Sequence, residues 1–150
     1  MNIRFWKGVL GAWIAAVVIL NIGNSVILMP TWTALQIQGI VRPGDPLVPM
    51  TGFLALLLVV VYLMCEFLEK LGRAQNVKPF KHGMQFGLLL GIPDVISWLF
   101  YNLPDVVPAV QIVFSVLAFT AAAWVYYWLD PAPIARGQEN KQYLRARKKR

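Results

Sequence analysis

Apolar residues dominate this chain in long blocks, and the first block, between Lys7 and Arg42, carries no charge at all. Three more blocks follow, separated by short polar segments. Each is long enough for a helix, rising about 1.5 Å per residue, to cross roughly 30 Å of hydrocarbon. The pattern predicts helices over residues 5–29, 47–71, 83–103 and 106–129. Backbone groups in hydrocarbon need internal partners, and the blocks lack the alternation of barrel strands. The expected fold is therefore all-α, a four-helix transmembrane bundle over residues 1–130, followed by a basic cytoplasmic tail over 131–150.

The boundaries follow from local signals. Pro30 is expected to end the first helix, because proline lacks an amide donor and crowds the preceding turn. Thr31 to Pro49 then reads as an outer loop with a short interfacial piece, turning at Arg42-Pro43-Gly44-Asp45-Pro46. Late in the second helix, Glu66 precedes Lys70 and Glu69 precedes Arg73 at ion-pair spacing. Asn102-Leu103-Pro104 leaves only a tight turn, so the last two helices should form an antiparallel hairpin, with Asp105 as N-cap and Pro108 in the next first turn. Tyr126, Tyr127 and Trp128 are expected at the cytoplasmic interface, and Trp32 and Tyr101 at the outer one.

Composition agrees with lipid as solvent. The 150 residues are 58% hydrophobic and 14% charged, too apolar for one small water-soluble core. A net charge of +7 would point to nucleic acid in a soluble protein, but the placement of the charges marks topology instead, and no nucleic-acid partner is expected. Arg4 and Lys7 precede the first block, Lys70, Arg73, Lys78 and Lys81 separate the second from the third, and Arg136 to Arg150 follow the fourth; only Arg42 lies on the other side. The positive-inside rule then puts both termini in the cytoplasm. The start resembles a signal peptide, but the apolar stretch continues through Met29, which favours a retained helix. Cys65, the single cysteine, has no internal disulfide partner and reads as a small packing residue.

Gly83, Gly87 and Gly91 recur every fourth residue and form one stripe that lets another helix approach closely, within the bundle or from another subunit. Gly8, Gly11, Ala12 and Ala15 give the first helix a comparable face, making it a candidate partner. Continuing the helical step brings Asp94, Trp98 and Tyr101 near the stripe's face if Pro93 rotates the helix little. Asp94 lies mid-span, where a carboxylate costs several kcal/mol unless it is protonated, paired or reached by water. Asn21, Asn24, Ser97 and Ser115 fall at depths that allow a polar intramembrane cluster with it. Such a cluster serves either as interhelical glue or as a proton, cation or solute site.

His82 stands about 18 Å along the helix from Asp94, so the two form no dyad within it. A lone imidazole is weak evidence for metal or haem, and no cofactor or metal is expected. No nucleophile with a spaced base, paired catalytic carboxylates or phosphate-binding loop is recognisable. The least implausible reactive pair, for an enzyme acting on lipid, is His82 with Glu66. In the tail, Arg145, Arg147, Lys148, Lys149 and Arg150 either fix topology or attract anionic headgroups, at about 1 kcal/mol per basic residue near the surface.

The stretch GMQFGLLLGIPD from Gly83 to Asp94, followed by a tight helical hairpin, resembles small four-span bacterial membrane proteins of uncharacterised activity, over the third and fourth spans above all. The resemblance implies a bacterial cytoplasmic (inner) membrane location and a compact bundle, and carries over no activity or site. The leading expectation is a non-enzymatic accessory or packing subunit of a larger membrane assembly, or a homo-oligomer, in contact with membrane lipids. The alternative is a small ion- or proton-coupled carrier or channel using Asp94, with Asn21, Asn24, Ser97 and Ser115 lining a polar route.

Overall fold

The computed structural model describes residues 3–39, 47–74, 78–101 and 103–130. All of its regular elements are helical: α1 (Ile3–Ile22), a π-helical segment (Gly23–Leu28), α2 (Met29–Ile37), α3 (Leu47–Ala74), α4 (Pro79–Tyr101) and α5 (Val106–Leu129). Four helices are long and apolar enough to cross a membrane, the first of them the continuous 35-residue run from Ile3 to Ile37.

That run corrects the expected stop at Pro30. The helix widens to an i→i+5 register over Gly23–Leu28 and resumes as α2, with Pro30 in its first turn. Proline's missing donor is harmless there, and the wider turn absorbs the crowding that would break a regular helix. Thr31 to Ile37 are consequently helical rather than loop, and Pro49 lies in the first turn of α3. Of the expected outer loop, residues 40–46 lie outside the described residues, Arg42 among them. The α4 helix starts at Pro79 rather than Gly83, proline again being suited to a first turn.

The bundle is built around α5. On one side its backbone receives the α4 stripe: Gly83 faces Phe119 and Thr120, Gly87 faces Ser115 and Val116, and Gly91 faces Ile112. On another side α1 packs through Gly8 against Tyr126 and Gly11 against Val125 and Leu129, and the π-helical segment continues the contact through Gly23 against Phe114. Both pairings run antiparallel, since residue numbers rise on one helix as they fall on α5. The partner across the α4 stripe is therefore α5, not the small-residue face of the first helix. That face meets α5 as well, because α5 offers Ala118, Ala122 and Ala123, all fully buried, to its neighbours.

The α3 helix closes the remaining side. Trp13 Nε1 donates to the Leu54 carbonyl at 3.2 Å, and Phe5 meets Tyr62 and Tyr126 edge-on at 5.9 and 6.1 Å. Tyr127 Oη donates to the Leu68 carbonyl at 3.5 Å. These contacts gather the start of α1, the end of α3, the start of α4 and the end of α5 at one end of the bundle, the end that holds Arg4, Lys7, Lys70, Lys78 and Lys81.

The aromatic residues expected at the cytoplasmic interface divide between core and surface. Tyr126 and Tyr127 are 0% and 4% exposed and belong to the core, whereas Trp124 and Trp128, one turn apart on the opposite face, are 61% and 73% exposed. Asp105 precedes α5 but makes no side-chain cap; its carboxylate accepts from Trp98 Nε1 at 3.0 Å and ties the α4–α5 hairpin instead.

Candidate functional site

Two helix irregularities define the site. In the π-helical segment, Asn24 Nδ2 donates to the Leu20 carbonyl one turn earlier at 3.1 Å, which leaves its carbonyl oxygen to accept. In α4, Pro93 cannot donate to the Leu89 carbonyl, and Asp94 follows it directly. Broken or widened helices inside an apolar bundle commonly line a cavity, because their loosened backbone needs polar company.

Such a cavity lies between them, with a volume of about 260 Å³. All four long helices contribute to its wall: Leu20, Asn24 and Leu28 from the first, Phe53 to Val60 from α3, Pro93 and Asp94 from α4, and Gln111, Phe114 and Ser115 from α5. The glycine contacts set its position, since Gly87 and Gly91 hold α4 against Ser115 and Ile112 just beside it. Asp94 is half-buried and Ser115 buried. Among the described residues, Asp94 forms no hydrogen bond or ion pair with another side chain, and no Lys, Arg or His lines the cavity.

Of the polar residues expected around Asp94, Asn24 and Ser115 share its cavity. Asn21 does not: it is exposed, accepting from Ser25 Oγ at 3.1 Å. The Ser97 side chain lies outside the described residues, as do Arg145, Arg147, Lys148, Lys149 and Arg150 of the tail. Gln111 joins the site without having been singled out from the sequence. Its signal was present as an amide inside the charge-free 106–129 run, one turn before Ser115.

The other chemical candidates are engaged elsewhere. Glu66 pairs with Lys70 at 2.7 Å, as its spacing implies. His82 Nδ1 shares a hydrogen bond with Gln85 Oε1 at 3.0 Å, and its ring stands edge-on to Phe67. The Arg73 side chain is outside the described residues. Cys65 is fully buried in the core. Among the described residues, no three His, Cys, Asp or Glu side chains gather as metal ligands.

At the opposite end of α5 from Gln111, Tyr126 Oη and one Asp130 carboxylate oxygen are buried without a hydrogen-bond partner among the described residues. The chain matches no protein-family model, no curated protein and no solved structure in the comparisons made with each.

Proposed function

We propose that this chain is a multi-pass protein of a bacterial cytoplasmic membrane, with both termini in the cytoplasm, that carries a small solute through the cavity beside Asp94. The observation behind this reading is the cavity itself: an intramembrane carboxylate, two amides and a hydroxyl line one volume, beside the π-helical turn of the first helix and the Pro93 position of α4. A carboxylate serving only as glue would be expected to bond across to a neighbouring helix, whereas this one faces open volume. The orientation rests on the gathering of cations at one bundle end.

The leading expectation from the sequence, an accessory or packing subunit or a homo-oligomer, drew in part on the glycine stripe, whose partner could have been a helix of the same bundle or of another chain. In the fold that stripe is occupied by α5, which withdraws one motive for a second chain without bearing on the others. A carrier is accordingly the reading we develop, and solute binding rather than catalysis is its chemistry, with a single ionisable group on the cavity wall among the described residues.

Proteoliposomes test it. Flux of protons, alkali cations or small organic solutes should appear with the native chain, vanish in Asp94→Asn and persist in Asp105→Asn, whose carboxylate lies outside the cavity. Flux absent for the whole panel, or indifferent to Asp94, would overturn the proposal.

A further inference from the structure

We infer that the solute held beside Asp94 is a small organic cation: an amine with an apolar, preferably aromatic, body. This rests on the cavity being a solute site, and it names the chemistry of the occupant.

Charge is the first argument. Among the described residues, Asp94 is the only charged one on the cavity wall, and every Lys and Arg stands towards the bundle end rather than beside it. A carboxylate in apolar surroundings needs a compensating charge or a proton, and an ammonium group supplies the charge with hydrogen bonds attached.

Hydrogen-bonding sense is the second. One N–H of the Asn24 amide is taken by the Leu20 carbonyl, so its carbonyl oxygen and one N–H remain for the cavity. Beside it, Gln111 and Ser115 can each present an oxygen, and the carboxylate is an acceptor when ionised. The wall can thus turn four oxygen acceptors toward a donor-only group such as –NH3+, while the Asp94 charge opposes a carboxylate or phosphate.

The rest of the wall is the third. Phe53, Phe114 and Phe119 with Leu57 and Val60 surround the polar groups. Phenyl faces attract a cation electrostatically and also receive an apolar body. A bare proton or alkali ion would leave that surface unused. The volume is modest: an apolar cavity of about 150 Å³ holds one benzene, so 260 Å³ suits roughly ten non-hydrogen atoms.

Three probes of nearly equal size separate the terms: phenethylamine as cation, phenethyl alcohol as neutral isostere and phenylacetate as anion. Each is titrated by calorimetry into the full chain in lipid nanodiscs at neutral pH, with empty nanodiscs subtracted. The amine should bind roughly tenfold or more tighter than the alcohol, as a charge-assisted contact exceeds a neutral one, and the anion should bind weakest. In Asp94→Asn the amine should fall to the level of the alcohol, while alcohol binding persists and reports an intact cavity. Alcohol binding as tight as the amine, or an amine preference that survives Asp94→Asn, would overturn the cationic assignment and leave the solute cavity standing. Failure of all three probes to bind would overturn both.

Discussion

Gly87 of α4 sits directly on the Ser115 carbonyl of α5: a Cβ at Gly87 would stand 2.7 Å from that oxygen. Backbone rather than a movable side chain fills the space, so the contact fixes how near α4 and α5 can lie. It also fixes where Asp94, two turns further along α4, enters the cavity beside Ser115.

Gly87→Ala should therefore lower stability in mild detergent by about 1–3 kcal/mol, the usual cost of overpacking, despite a helix-propensity gain of about 1 kcal/mol. Gly52→Ala, where nothing lies within 4 Å, should leave stability unchanged or raise it. Thermal or denaturant unfolding of the two variants checks this. Equal effects at both positions would remove the close-contact account of the stripe.

Tyr126 offers a change of opposite sign. Its ring is fully buried against Gly8 and Phe5, yet its hydroxyl has no partner among the described residues. Removing an unsatisfied buried hydroxyl relieves a desolvation cost, so Tyr126→Phe should be neutral or stabilising by about 1 kcal/mol. Tyr127→Phe, which loses the bond to the Leu68 carbonyl, should not stabilise. A clear destabilisation in Tyr126→Phe, read by the same unfolding assay, would show that the hydroxyl is satisfied in the membrane.

Topology gives a third expectation. With four helices long and apolar enough to cross and cations gathered at one end, the proposed topology predicts that reporters fused before Ile3 and after Asp130 both report a cytoplasmic location. Reversing the balance, by replacing Lys70, Lys78 and Lys81 with Gln and adding basic residues beside Arg42, should shift a fraction of molecules to the inverted orientation. Reporters emerging in opposite compartments would contradict an even number of crossings.

The element types were legible because long apolar blocks admit little besides helices, and Val106–Leu129 coincides with the expected fourth helix. What the sequence hid was the response of the backbone to proline. Pro30 ends a regular helix, but in a π-helical register its missing donor is absorbed, so α1 continues into α2. The facing of the aromatic residues was hidden for a different reason: Tyr126, Tyr127 and Trp128 are consecutive, yet a 100° step turns the first two into the core and the third outward. The site was half legible. Asp94 stood out as a mid-span carboxylate, whereas choosing among Asn21, Asn24 and Gln111 required knowing which face each helix turns toward the cavity.

The most direct measurement of the central claim, that a polar cavity opens beside Asp94, is thiol accessibility. Cys65 is fully buried, so single cysteines placed elsewhere report against a quiet background. In membranes, Gln111→Cys and Asn24→Cys should react with a small water-soluble thiol reagent, and phenethylamine should slow both. Leu88→Cys and Val113→Cys, on the outward faces of α4 and α5, should remain unreactive because lipid covers them. Equal reactivity at all four positions, or reaction only at Leu88 and Val113, would contradict the account.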